Sequence, residues 1–144
     1  INLTIKNLLK NKNELFCTTL AQKIESKNEI NNTNRVKMIW NKYNEVIYIS
    51  REVIPSRSKY NKKIDFFKMV CVYTMKKKNL HLFQKFGISK NEKIESIDML
   101  RIIDNGKKLG VSVIDGQVEN IDVKSDIQKV IKILKKDTLV KKYI

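Results

Sequence analysis

The stretch from Ile64 to Met75, IDFFKMVCVYTM, limits the architecture of this chain more than any other. Phe66, Phe67, Met69, Val70, Cys71, Val72 and Tyr73 follow one another almost without a break. Apolarity this continuous, rich in β-branched and aromatic side chains, predicts a long strand buried on both faces, and so one in the middle of a sheet. A buried helix is the alternative. As a single strand the stretch spans roughly 36–40 Å.

The flanks supply partners for it. Val36, Met38 and Trp40 alternate with Arg35, Lys37 and Ile39, which predicts a strand. Asn41 to Glu45 reads as a turn and Val46 to Ser50 as the returning strand of a hairpin. Trp40, the single tryptophan, is expected in the core. Pro55 ends the hairpin or marks an edge, and Ser56 to Lys63 is expected to be an exposed loop. After Met75, Lys76 to Asn79 reads as a turn, and Leu80 to Phe86 as a strand or short helix ending at Gly87. Three strands, Ile97–Ile103, Leu109–Ile114 and Gln117–Val123, joined by Asp104-Asn105-Gly106 and Asp115-Gly116, predict a meander, since both turns suit the positive φ of tight hairpins.

Helices are expected at both ends. Residues 1–12 suggest a short one. Asn13 is a good N-cap with Glu14 in the first turn. Phe16, Leu20 and Ile24 recur every four residues and predict an amphipathic helix of about three turns, which the turn formers of residues 28–34 end. At the other end, Ser125 and Gln128 have the spacing of a capping box, and Ile127, Val130, Ile131 and Leu134 form an apolar stripe. Asp137 to Ile144 is expected to be a peripheral basic tail. The order predicts an α+β fold, a mainly antiparallel sheet with an N-terminal and a C-terminal amphipathic helix, in one domain over 1–144.

Charge carries the functional expectation. Thirty Lys and Arg face fifteen Asp and Glu, a net charge of +15. Residues 51–91 alone hold 11 bases and 2 acids. Such an excess points to a polyanionic partner. It also has a bland source: Lys (26), Asn (15) and Ile (20) dominate the chain, which is the mark of AT-rich coding. Only 4 of the basic residues are Arg, so backbone contact is supported and sequence-specific readout is not. The basic residues fall into two groups. Arg51, Arg57, Lys59, Lys62 and Lys63 lie in or beside the 56–63 loop, with Tyr60 able to stack on an exposed base. Lys76, Lys77 and Lys78 lie at the far end of the apolar stretch. Two groups so separated suit a surface that tracks a phosphate backbone.

Catalytic groups are hard to find. His81 is the lone histidine; Glu52 or Asp65 could reach it only through the fold, and a surface or structural role is expected. The four glycines are scattered, so no phosphate loop forms. No metal or cofactor site is expected. Cys17 and Cys71 sit among apolar neighbours and are expected to be buried, inert thiols in a reducing compartment. No apolar run reaches the roughly 18 residues of a membrane span. The chain opens on Ile1 rather than Met, compatible with a removed targeting segment or with residues upstream of it. These readings together predict a non-catalytic RNA-binding subunit of a ribonucleoprotein, an organellar (mitochondrial) ribosomal protein contacting rRNA and neighbouring subunits. A protein-interaction adaptor is the alternative, and a nucleic-acid-processing enzyme a third.

Overall fold

A computed structural model describes residues 1–11, 14–60, 62–116, 118, 121, 124–138 and 140. The fold is a mixed α/β one, with a five-stranded sheet and six helices among the described residues. The chain forms two compact units, Ile1–Ile114 and Asp115–Ile144.

The first unit holds the sheet. Its strands are β1 (Leu15–Lys23), β2 (Lys37–Trp40), β3 (Val46–Ser50), β4 (Phe67–Met75) and β5 (Lys108–Ile114). Their order is β3-β2-β4-β1-β5, so the apolar stretch does lie at the centre. β4 begins at Phe67, later than expected, because Phe66 turns out of the ladder into a side cluster with Ile24 and Ile30. β1–β4, β2–β3 and β2–β4 run antiparallel, and β1–β5 runs parallel.

β1 replaces the helix expected around Phe16, Leu20 and Ile24. A spacing of four is also twice the strand period; an irregularity between Leu15 and Cys17 then puts Phe16 in the core with Cys17 and Ala21, and Ile24, just past the strand, packs with Ile30 and Phe66. Leu15 to Gln22 are all buried, the condition of a strand covered on both sides. The helix at this end is α1 (Asn2–Lys10), which packs on β1, β4 and β5. Its buried Thr4 shares a hydrogen bond of 2.6 Å with Thr74, and Asn7 Nδ2 donates to Val111 O at 3.1 Å.

The hairpin forms as expected. Its turn is built by Asn41, whose Oδ1 accepts from the backbone N–H groups of Tyr43 and Glu45. The tip reaches β5: Glu45 bridges Gly110, Val111 N–H donates to Asn44 O at 2.9 Å, and Lys108 Nζ lies 2.8 Å from Glu45. The packing of β5 against β1 needs a small residue at Gly110. A Cβ there would stand 2.5 Å from Leu15 Cδ1 and 3.2 Å from Thr18 Cγ2. Gly110→Val is therefore expected to destabilise the unit by about 1–3 kcal/mol through overpacking, read as a lower urea midpoint. An unchanged midpoint would refute the packing account. Trp40 packs edge-on against Phe67, ring centroids 4.8 Å apart.

Of the expected meander, the middle strand forms as β5, but it pairs in parallel with β1, and the first strand is replaced by a helix. Residues 77–104 hold three helices, α3 (Lys77–Lys85), where a strand or short helix was expected, α4 (Lys90–Glu95) and α5 (Leu100–Asp104). The Lys76–Asn79 turn is thus the start of a helix. Ser89 and Glu92 close a capping box on α4. Asp104-Asn105-Gly106 ends α5 rather than turning a hairpin: Lys107 N–H bonds Ile102 O, Gly106 N–H bonds Ile103 O, and Gly106 has φ +65°. This paired pattern is a glycine helix stop, and it uses the same positive φ a hairpin turn would. The third expected strand, 117–123, lies outside the described residues except for Val118 and Ile121, neither of which is in a strand.

The second unit contains α6 (Lys124–Leu134). It starts one residue ahead of Ser125, and Ile127, Ile131 and Leu134 lie on its exposed surface. Residue 139 and residues 141–144 of the tail lie outside the described set. A short helix, α2 (Lys27–Ile30), follows β1 in the first unit and is capped by the Ser26 side chain.

Candidate functional site

Where β1 ends, the chain opens a cleft of about 330 Å³. It lies beyond the carboxyl end of β1, the strand that pairs in parallel with β5. Lys23, Lys27, Arg57, Lys62 and Lys63 line it against only two carboxylates, Glu25 and Asp65, so it is net positive. Ile24, Ile30, Ile64, Phe66 and Tyr60 supply an apolar floor and wall. A cleft with one charged side and one apolar side fits a small anion that carries a ring or chain.

Two polypeptide segments form its walls: residues 57–66 of the loop that runs from Arg51 to Phe66, and residues 23–30 from the end of β1 through α2. The turn that follows α2 lies outside the lining and is joined to the loop by cations. Asn31 Oδ1 accepts from Arg57 Nη2 at 3.3 Å, Asn32 O from Lys37 Nζ at 3.0 Å, and Thr33 O from Arg51 Nη1 at 3.2 Å. Lys37 also donates to Arg51 O. Arg57 is further placed by Phe66, whose ring centroid lies 5.7 Å from the guanidinium carbon. Phe66 O accepts from Ile24 N–H at 2.8 Å, which anchors the loop's far end to β1.

Behind the walls a polar row crosses the sheet. Ser50 pairs with Lys37, Lys37 with Lys68, and Lys68 with Gln22, so their side chains share one face. All four are buried, Lys37 completely. Burial pushes the Lys37 ammonium below its ordinary lysine value, while Glu52 and Glu95 pull the other way. Glu29 lies 3.0 Å from Lys68 Nζ and 3.5 Å from Arg35 Nε. Glu95 closes the row: it accepts from Ser50 Oγ at 2.7 Å and from Arg51 N–H at 2.9 Å.

The residues picked out by charge are thus divided. Arg57, Tyr60, Lys62 and Lys63 come together around the cleft. Arg51 turns inward instead, its guanidinium donating to the carbonyls of Thr33, Glu95 and Ser96. Lys59 is exposed on the same loop, outside the lining. Lys76 and Lys78 border a second cleft of about 370 Å³ at the opposite end of β1, with Glu14, Lys107 and Lys108. Lys77 is exposed in the first turn of α3. Charge reasoning missed Lys37 and the turn at 31–33, because a lysine alternating with apolar residues reads as a solvated strand face.

His81 is exposed on α3. Cys17 is buried, its thiol pushed up to about 12 by desolvation, but Cys71 is exposed rather than buried. The exposure has a local cause. Leu20 pairs with Val70 and Thr18 with Thr74, so Cys71–Tyr73 bulge out opposite Thr19. Among the described residues no three His, Cys, Asp or Glu side chains converge as metal ligands, and no helix is long and apolar enough to cross a membrane.

Comparison with known proteins corrects the functional expectation. The sequence pattern of the family described as Cytidylyltransferase matches residues 1–137. A 3-deoxy-manno-octulosonate cytidylyltransferase of Fusobacterium nucleatum is 33% identical over 139 residues, which cover 96% of this chain and 56% of the relative. One from Francisella tularensis subsp. holarctica is 30% identical over 132 residues, 88% of this chain and 53% of the relative. The chain therefore spans about half the length of these relatives. A solved CMP:2-keto-3-deoxy-manno-octonic acid synthetase, in complex with CTP, superimposes with a TM-score of 0.82 over 93% of this chain and 54% of its own. At 22% identity that likeness concerns the fold.

These findings overturn the reading of a non-catalytic, RNA-binding ribosomal subunit, with its rRNA and neighbouring-subunit partners, and the adaptor reading with it. The family is one of enzymes, and the relatives' names describe transfer of a cytidylyl group. The physical reason for the error is visible in the cleft, where the basic loop closes around a small volume instead of presenting a flat face to a phosphate backbone. Matched along nearly its whole length, the chain belongs to the cytidylyltransferase family.

Proposed function

We propose that this chain forms the acceptor-binding part of a cytidylyltransferase that joins CMP, drawn from CTP, to a 2-keto sugar acid. The observation that carries this reading is the coverage of 96% of the chain by a relative named for that reaction. The sugar acid's hydroxyl oxygen attacks the α-phosphorus of CTP, the bond to the departing pyrophosphate breaks, and the hydroxyl proton leaves to solvent or base. CTP and the sugar acid are both anions, so the binding surface must supply cations.

The cleft at the end of β1 supports the reading. Arg57 is the residue suited to a carboxylate, since its planar fork can make two parallel hydrogen bonds. Its Nη2 is already fixed on Asn31, which leaves the rest of the fork to the ligand. Lys62 and Lys63 add positive potential from the same loop, and Lys23 is tied to Asp65 at 2.8 Å. That pair holds the Asp65 carboxyl below its usual range. The apolar floor of Ile24 and Phe66 excludes water from one side of the ligand.

The test is pyrophosphate release from CTP by the protein that carries this chain, with 3-deoxy-manno-octulosonate as acceptor. Arg57→Gln is expected to raise the acceptor KM about tenfold to a hundredfold, the size of a lost charge-assisted hydrogen bond, while KM for CTP stays put. Absence of acceptor-dependent release with this and other 2-keto sugar acids would sink the reading.

A further inference from the structure

Three consecutive residues of the turn after α2 are each held by a different cation. Arg57 takes Asn31 Oδ1, Lys37 takes Asn32 O and Arg51 takes Thr33 O. Of the three cations only Arg57 faces the cleft. Lys37 is fully buried in β2, and Arg51 points into backbone carbonyls. An ammonium buried this completely is costly unless its hydrogen bonds are made, and those of Lys37 go to Asn32 O in the turn after α2 and to Arg51 O at the start of the loop that carries Arg57.

We propose that Lys37 is a positioning residue for acceptor binding: its buried ammonium ties the Asn31–Thr33 turn to the Arg51–Phe66 loop and so sets where Arg57 stands. The inference rests on the acceptor reading of the cleft. It takes the polar row across the sheet to be part of the site's construction. Asn31 and Asn32 are adjacent, so a shift of the turn that Lys37 holds moves the Asn31 amide on which Arg57 is pinned. Arg51 reinforces the same turn from the start of the loop.

Two measurements test this. In the first, Lys37→Met is expected to raise the acceptor KM about tenfold, with kcat and KM for CTP within about twofold. In an Arg57→Gln background the same change is expected to add less than about twofold, because a residue that acts through Arg57 has nothing left to position. Full additivity, or an unchanged KM, would overturn the proposal, and Arg51→Met gives the same non-additive pattern if Lys37→Met does not fold.

The second measurement does not need activity. Amide hydrogen exchange in Lys37→Met is expected to quicken about tenfold or more in residues 31–35 and 51–57 together, with β1 and β5 unchanged. Unchanged exchange in either segment overturns the inference. A wild-type protein without transfer activity would instead overturn the acceptor reading, and the exchange result would still decide whether Lys37 joins the turn to the loop.

Discussion

Replacing Leu100 with alanine is expected to cost the first unit about 2–5 kcal/mol, a large share of the roughly 5–15 kcal/mol that holds a domain together. Leu100 has no exposed surface and opens α5, a helix of five residues. Helices this short do not persist on their own hydrogen bonds. What keeps α5 in place is the burial of Leu100 and Ile102 in the core with Met38, Ile49 and Leu109. Loss of the leucine leaves a void and loosens the element that feeds β5. Urea unfolding is the check: the midpoint is expected to fall sharply with an unchanged slope, and a shift equivalent to less than about 1 kcal/mol would mean that the core can collapse around the gap.

The second large effect concerns Arg101 and Glu92. Arg101 Nε donates to Glu92 Oε2 at 2.7 Å, and its Nη2 donates to Oε1. The guanidinium carbon lies 4.7 Å from the centroid of Phe83. One side chain thus fastens α4, α5 and α3 to one another. Both partners are mostly buried, so Arg101→Met leaves the Glu92 carboxylate without its main partner and is expected to cost about 1.5–3 kcal/mol. The sign of the pH effect follows from the same contact. Hydrogen bonding to Arg101 holds the Glu92 carboxyl below its usual value. Its contribution is therefore complete above the unfolded carboxyl value of roughly 4.3 and is lost as pH falls through the lower folded value. Urea midpoints taken from pH 7 down to pH 3 are expected to show a smaller acid-induced loss in Arg101→Met than in the wild type. Parallel slopes would remove Glu92 from the account.

Parts of this fold can be read locally, and parts cannot. The β2–β3 hairpin was legible because an alternating run, an asparagine turn and a run of β-branched and aromatic residues lie within fifteen residues. β4 was legible because only a central strand tolerates such apolar continuity. β1 was not, since Phe16, Leu20 and Ile24 satisfy both the helical spacing and the strand period. The helices at 77–104 were hidden by a similar degeneracy, because Asp104-Asn105-Gly106 serves a helix stop and a hairpin turn equally well. Ser89 and Glu92 carried a capping-box signal that pointed the other way. As for the cleft, the cations of the 57–63 loop stand out in the sequence, but their convergence depends on Asn31, Asn32 and Lys37. Those residues contribute a side-chain amide oxygen, a backbone carbonyl and a buried amine, and none of these leaves a mark in composition. No short motif in the chain carries the family's name, and the uniform lysine excess points to a larger, flatter partner.

The parallel pairing of β1 with β5 sets the order in which the first unit can assemble. Leu15 lies beside Lys108, and Gln22 beside Ile114. Strand neighbours so far apart in sequence give the unit a high contact order, and chains of that kind fold slowly because a long loop must close before its contacts repay the loss of freedom. On the ribosome, β1 emerges first and can pair with β4 once Met75 has cleared the exit, leaving its other edge open. That edge is covered only after Ile114 has been made. For that interval the edge of β1 from Leu15 to Gln22 has no strand to pair with, so the growing chain is at its most aggregation-prone just before β5 arrives.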